Sequence, residues 1–225
     1  MHIEPGIVHG AKMVLSYATA AGAGAWALKQ GWDTLKDKGL VSLASRTALA
    51  AVAVFSFFEL LPHYPVGVSE VHFILGSTLF LLLGAAPAAF GLALGLLLQG
   101  MFFAPFDLPQ YFINVTTVLV PLFAVKALAD RLIPRDTAYV DISYKDALAL
   151  STAYQGGVVL WVAFWAFYGQ GFTAATTASV FTFGGAYMLV VLIEPIADLA
   201  VLAAAKSLRG LERAGLTTPR LFNAG

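Results

Sequence analysis

The sequence contains no cysteine, and only 12% of its 225 residues are charged. Without cysteine there is neither a disulfide framework nor a thiolate metal site, so any bound metal must be held by nitrogen or oxygen atoms. A soluble domain usually has about a quarter charged residues, so the low fraction argues against a soluble protein. Basic and acidic residues balance, and no basic stripe is present, which excludes the usual nucleic-acid-binding modules.

What the chain does have is long apolar stretches, with 59% hydrophobic residues and a mean hydropathy of +0.80. A helix of about 20 apolar residues crosses a hydrocarbon core of about 30 Å, and the alternating pattern of a β-barrel is absent. We therefore predict an all-α integral membrane protein, a single polytopic domain over residues 1–225. About seven transmembrane segments are predicted: roughly 7–28, 41–61, 71–85, 87–103, 111–132, 147–168 and 174–204.

Three of these segments allow an alternative interpretation. The first could be mistaken for a signal peptide, but no Lys or Arg precedes its apolar run, so we expect it to be a retained helix. The third and fourth are short and meet near Pro87, so they are either two short spans or a re-entrant hairpin.

Orientation is predicted from the basic residues, which gather on one side of this topology. The positive-inside rule makes that side cytoplasmic, with the N-terminus outside and the 205–225 tail inside. All four histidines then fall at the outer face. The basic residues concerned are Lys29, Lys36, Lys38, Arg46, Lys126, Arg131, Arg135, Lys145, Lys206, Arg209, Arg213 and Arg220, with Lys12 as the exception.

A chain that begins Met1-His2 carries three nitrogens in one short chelating string: the terminal amine, the His2 amide and the His2 imidazole. The amine and amide close a five-membered ring on a metal, and the amide and Nδ1 close a six-membered ring. Such a set favours a square plane, the geometry of Ni(II) or Cu(II) and also open to Co(II). His72 is the natural fourth nitrogen, because it lies where an external loop meets the third segment. The alternatives, a solvated terminal histidine and a simple interfacial histidine, remain open at this point.

The opening Met1-His2-Ile3 and the stretch Gly67-x-Ser69-x-x-His72 resemble one family of metal transport proteins. This is the CbiM/NikM family, the cobalt/nickel substrate-specific membrane component of energy-coupling-factor (ECF) transporters. The resemblance covers a little over half the chain, to the end of the fifth segment. Further matching residues are Gly6, Gly76, Gly84, Ala88, Ala89, Leu98, Gln99, Gly100 and Asn114.

The resemblance implies a helical bundle into which the N-terminal segment, residues 1–6, inserts from outside. It implies that Co2+ or Ni2+, as transported substrate, is held by the Met1 amine, the His2 amide and imidazole, and His72. It also implies a component of a bacterial or archaeal cell membrane that is not itself an enzyme. Its partners would be the lipid bilayer, a coupling membrane subunit, an ATPase pair and a small accessory membrane subunit. No Walker A pattern occurs in this sequence, as expected if ATP is hydrolysed by other chains.

Other polar residues are predicted to support the site. Metal-bound histidines generally donate their second ring N–H to an acceptor, and Ser69, Glu70 and Asn114 are the candidates. His9 and Lys12 are predicted to line a cavity on one face of the first helix. Lys12 could instead reach the outer headgroups or pair with a nearby glutamate.

A rival hypothesis is an ion-coupled secondary transporter of an organic substrate that uses the intramembrane carboxylates Glu59, Glu194 and Asp198. The simpler prediction for Glu194 and Asp198 is that they face the cytoplasmic interface and pair with Lys or Arg. A membrane-embedded enzyme has the weakest case, because no recognisable nucleophile or water-bearing metal triad is present.

Overall fold

The computed structural model describes residues 2–207 and 215–223, and this part of the chain is mostly helical. Met1, residues 208–214, which include Arg209 and Arg213, and residues 224–225 lie outside the described residues. The prediction of a helical membrane protein is therefore confirmed in outline. The helices are α1 Met13–Glu59, α2 Gly76–Leu83, α3 Ala85–Phe102, α4 Tyr111–Leu132, α5 Tyr144–Gln170, α6 Ala174–Met188 and α7 Glu194–Ser207.

Helix α1 is two antiparallel arms that fold back at Gly39. The backbone of Gly39 has φ 79° and ψ 169°, a conformation that glycine adopts easily and that interrupts the helix. Both arms pack against the middle of α3: a Cβ on Gly31 would lie 2.7 Å from the Phe90 ring, and Ala50 contacts Gly91. The predicted segments 7–28 and 41–61 correspond to these arms. The structure corrects their bounds, because residues 29–38 continue the first arm and the helix begins only at Met13, after a 3₁₀ turn over Gly10–Lys12.

Helix α2 differs most from its predicted segment, 71–85. It has eight residues, so at 1.5 Å per residue it is about 12 Å long and cannot cross a membrane. Almost all its side chains are buried, which explains the apolar sequence: these residues fill the bundle interior. Gly84, with φ 90°, joins α2 directly to α3.

A small antiparallel hairpin precedes α2. Strand β1 covers Tyr64–Val66 and strand β2 covers Ser69–Val71, with Pro65 opposite Glu70. The turn residue Gly67 has φ 63°, and any Cβ there would collide with the carbonyl oxygen of Ser179 in α6. Strands of three residues are too short to show a period of two, so sequence patterning could not predict them.

The predicted last segment, 174–204, is divided in the structure. A 3₁₀ turn over Leu189–Leu192 separates α6 from α7, and Pro195 lies in the first turn of α7, where a missing N–H costs least. Within the described residues, five stretches are long and apolar enough to cross a membrane, and the first contains both arms of α1. They are Gly10–Glu59, Ala85–Phe102, Pro105–Leu132, Tyr144–Gln170 and Ala174–Ser207.

Candidate metal site

The N-terminal segment pairs with the hairpin as an additional short strand. The carbonyl oxygen of His2 accepts a hydrogen bond from the Glu70 amide at 3.2 Å, and the Glu4 amide donates one to the Val68 carbonyl at 3.1 Å. Between these two bonds, Ile3 forms a β-bridge with Ser69. Ile3 is buried, with 1% of its surface exposed. Residues 2–4 are therefore fixed by both backbone and packing.

Two of the polar residues predicted around the histidines hold this strand in place. Ser69 Oγ donates to the His2 carbonyl at 2.9 Å, and the Ile3 amide donates to Asn114 Oδ1 at 3.0 Å. In this structure both side chains contact backbone groups rather than a histidine ring, and their role towards a metal-bound histidine stays a prediction. Their contacts fix the backbone on either side of the His2 side chain, which orients the imidazole indirectly.

These hydrogen bonds bring His2 and His72 together around Glu70. The His72 Nε2 atom lies 2.9 Å from Glu70 Oε2, and the His2 Nδ1 atom lies 3.5 Å from the same oxygen. The two imidazole rings are 5.4 Å apart between centroids. One ligand atom from each of these residues lies within 4.8 Å of the others, so the trio could hold a metal ion. In this arrangement Glu70 Oε2 stands between two nitrogens that are both directed towards it.

Asp107, which sequence analysis did not single out, is a further member of the site. Its Oδ2 atom lies 2.7 Å from His2 Nδ1, and the side chain is 8% exposed. Asp107 belongs to the 3₁₀ turn Pro105–Gln110 that leads into α4. The available signal was that it is the one carboxylate in the loop between the fourth and fifth predicted segments, on the side assigned to the histidines.

Carboxylates give the surroundings of His2 a negative electrostatic potential. Glu4 is partly buried, and burial raises its pKa, with repulsion from Glu70 and Asp107 adding to the rise. Repulsion among carboxylates is relieved when a cation binds between them. The site thus favours a cation on electrostatic grounds.

His72 is held neutral by its surroundings. Its side chain is fully buried, and this burial lowers the pKa of the imidazole, with the neighbouring His2 and His63 lowering it further. Phe58 packs edge-on against the ring at 5.1 Å, and His63 stacks on it at 4.9 Å between centroids. A neutral imidazole is the form that binds metals. His63 therefore forms one wall of the site.

Little empty space adjoins the histidines. A cavity lined by His2, Asp107 and Asn114 has a volume of about 10 Å³. This is room for about one water molecule, so an organic substrate does not fit beside His2 without rearrangement, whereas a bare metal ion does.

Comparison with known proteins assigns the chain to a family. The family model for CbiM, described as the cobalt uptake substrate-specific transmembrane region, matches residues 2–210. The chain belongs to the CbiM family. A search of the curated proteins and a search of the solved structures find no match to it. The predicted family is confirmed, and this CbiM-family chain is a multi-pass membrane component of cobalt uptake.

The family match extends the resemblance noted in the sequence. The resemblance noted residue by residue reached only the end of the fifth predicted segment, whereas the family match continues through α5, α6 and the whole of α7. CbiM is a transport-related membrane family, in agreement with the expectation of a transporter component.

His9 and Lys12 do not occupy the cavity-lining positions predicted for them. Both side chains are exposed, and the chain over these residues is extended or 3₁₀ rather than part of the predicted α-helical face. Lys12 Nζ donates to the carbonyl oxygen of Gly169 at 2.8 Å and lies over the Tyr168 ring. A lysine at the C-terminal end of α5 favourably meets the negative end of the helix dipole. Lys12 therefore fastens the N-terminal segment to α5.

The buried carboxylates of α7 are also placed differently from the prediction. Glu194 and Asp198 are both fully buried in this CbiM-family chain, and none of the described lysines or arginines pairs with them. Glu194 accepts hydrogen bonds from the Leu75 amide at 3.0 Å and from two side chains of α5, Ser151 and Gln155. Asp198 accepts from two hydroxyls in the first turn of α2, Ser77 and Thr78.

Proposed function

We propose that this chain captures Co2+ or Ni2+ in a plane of four nitrogens: the Met1 amine, the His2 amide, His2 Nδ1 and His72 Nε2. The observation that carries the proposal is the convergence of Nδ1 and Nε2 on Glu70 Oε2, at 3.5 Å and 2.9 Å. These are the two ring nitrogens that the chelate requires. Metal–nitrogen bonds are about 2.0–2.1 Å long, so the Glu70 oxygen would move aside, or bind above the plane, as the metal enters.

The backbone of His2 supports the same proposal. Its carbonyl oxygen is held by two donors, but its amide nitrogen donates no hydrogen bond within the described part of the chain. An amide that donates a hydrogen bond within a β-sheet would lose that hydrogen bond when it binds a metal. The His2 amide is free to lose its proton to the metal instead, which makes the five- and six-membered chelate rings accessible.

Asp107 has a defined part in this proposal. Its Oδ2 atom lies 2.7 Å from His2 Nδ1. When the metal takes Nδ1, Asp107 and Glu70 remain within reach as acceptors for the released protons and as counter-charges to the cation. The same carboxylates attract the divalent ion before it is bound.

Transport itself would be energised by other chains. We infer a separate ATPase pair and a coupling membrane subunit, because the sequence has no phosphate-binding loop and the family is a substrate-specific region of an uptake system. The outer face would carry the histidines, since the basic residues lie at the opposite end. Co2+ uptake into proteoliposomes should then require ATP and these subunits, and uptake by this chain alone under a proton gradient would contradict the assignment.

The sharpest test of the chelate adds two alanines ahead of Met1. The added residues keep every side chain but move the terminal amine out of the five-membered ring that it closes with the His2 amide, so metal retained after gel filtration should fall about tenfold or more. His72→Ala should have a similar effect. His9→Ala is the matched control, because His9 is an exposed histidine in the same segment. Unchanged Co2+ content in the extended protein would refute the site.

A further inference from the structure

The largest cavity found in the described residues lies at the other end of the bundle from the histidines. It has a volume of about 380 Å³ and is lined by both arms of α1, the start of α3, the end of α4 and the segment 215–223. Arg46 lines this cavity, and Phe58 packs against His72 at the metal site. Twelve residues of helix, or about 18 Å, separate Arg46 from Phe58, so the cavity is far from the histidines. The charged residues that line it are Asp37, Lys38, Arg46, Lys126, Asp130 and Arg220.

Arg46 is the unusual member of this group, because only 2% of its surface is exposed. Its Nε donates to the Ser42 carbonyl at 3.1 Å, and one terminal nitrogen donates to the Leu83 carbonyl at 2.8 Å. The other terminal nitrogen, Nη2, is buried and has no partner among the described residues. A buried charged donor without a partner is costly, so a guanidinium in this position favours binding of an anion.

The N-terminus of α3 lines the same cavity. Its cap, Gly84, has no side chain to accept the first amides, and no other group in the described ranges accepts the N–H groups of Ala85 and Ala86. Unsatisfied amides carry the positive end of the dipole of this 18-residue helix. A Cβ on Gly84 would lie 3.5 Å from Arg46 Nη1, so the guanidinium and the helix start converge.

The side chains that line the cavity carry a net positive charge. Four cations face two carboxylates, and one of these carboxylates, Asp130, is already paired with Lys126 at 2.6 Å. Arg220 donates to the carbonyls of Ile133 and Pro134 and stacks over the Tyr139 ring, which holds its charge at the cavity wall. An anion in the cavity would lie near Arg46, near the amides at the start of α3 and near this excess of basic side chains.

We propose that this cavity binds the phosphate group of an anionic phospholipid. The cavity lies where the two arms of α1 and helix α3 end, which is the depth of lipid headgroups, and basic pockets between transmembrane helices are a recognised site for such groups. A volume of about 380 Å³ is in the range of small-ligand pockets and leaves room for a phosphate with its glycerol.

The test is a lipid titration of the purified full-length chain, followed by native mass spectrometry. Phosphatidylglycerol should bind about fivefold or more tightly than phosphatidylcholine, whose headgroup adds a cation to the cavity. Arg46→Gln should weaken phosphatidylglycerol binding about tenfold or more, because a charge-assisted donor is lost. Lys38→Gln, at an exposed position on the cavity rim, should weaken it about fivefold and keeps the test valid if Arg46→Gln does not fold.

Lys36→Gln is the matched control. Lys36 is an exposed lysine on the same arm, lies over the Trp32 ring and does not line the cavity, so its loss should leave lipid binding within about twofold. Equal losses in the Lys36 and Lys38 variants would show general surface attraction and overturn the proposal. Displacement of the lipid by inorganic phosphate at equal concentration would overturn the lipid assignment in favour of a free anion.

Discussion

Two pairs of buried or half-buried carboxylates can be compared within this molecule. Glu70 and Asp107 face imidazole nitrogens of His2 and His72. Among the described residues, the donors to Glu194 and Asp198 are hydroxyl, amide and backbone groups of α5, α2 and the cap of α2. The first pair adjoins atoms that a metal can bind, whereas the second pair already serves as acceptor for groups that tie three helices together. Burial alone therefore does not mark a transport site, and the chemistry of the neighbours decides.

The comparison predicts that Glu194→Ala will affect folding far more than metal binding. The substitution leaves the donors of Leu75, Ser151 and Gln155 buried without an acceptor, which should cost about 3–5 kcal/mol of unfolding free energy. Thermal unfolding in detergent measures the loss. Glu194→Gln, which keeps the shape and one oxygen, should recover roughly half of it. If Glu194→Ala removed Co2+ binding while the melting temperature stayed unchanged, the two carboxylate pairs would not differ as proposed.

Metal affinity should fall steeply as the pH is lowered. His72 stays neutral because burial lowers its pKa, so the competing protons are those of the terminal amine and the His2 amide, which binding must release. The free amine has a pKa near 8, so from about pH 8 to about pH 6 its protonation should lower the affinity about fiftyfold, and the amide proton, which binding releases throughout this range, should lower it about a hundredfold more.

Isothermal titration with Co2+ in buffers of different ionisation enthalpy measures both the affinity and the number of protons released. Binding that is independent of pH and releases no proton would contradict an amide ligand.

Asp107 should matter to the metal site to a smaller degree. Asp107→Ala removes a carboxylate that would stay beside the cation as a counter-charge after the metal takes His2 Nδ1, and this loss should lower Co2+ affinity about tenfold. Asp107→Asn keeps the shape without the charge and should lie between the variant and the native protein. The control is Asp146→Asn, at the capping box of α5, which should leave Co2+ affinity unchanged.

The smallest expected effect is at Asn114. Asn114→Ala removes the acceptor for the Ile3 amide, which should loosen the N-terminal strand at a cost of about 1 kcal/mol, or about a fivefold loss of affinity. Competition with a chelator measures the rate at which Co2+ dissociates, which should rise in this variant. A slower dissociation of Co2+ would contradict the prediction. Asn223→Ala, in the segment 215–223, is a control at another asparagine.

The elements that could be predicted are those for which composition and length agree. Helix α4 has the bounds of its predicted segment, 111–132, because the mostly apolar run lies between Pro109 and Pro134, and proline does not continue a helix. Helix α2 could not be predicted, because an apolar run indicates burial but not whether the surroundings are lipid or protein. The hairpin was missed because its strands have three residues each.

The sequence by itself determined the class of protein and the two histidines at the centre of the candidate site. Apolar runs of spanning length require helices in a membrane, and a histidine directly after the first methionine has a chelating geometry set by covalent structure alone. Only the tertiary structure brought Asp107 to His2, bent α1 back at Gly39 and turned Glu194 and Asp198 into internal acceptors. These contacts join residues far apart in the chain, and packing of whole helices, which no local pattern encodes, decides them.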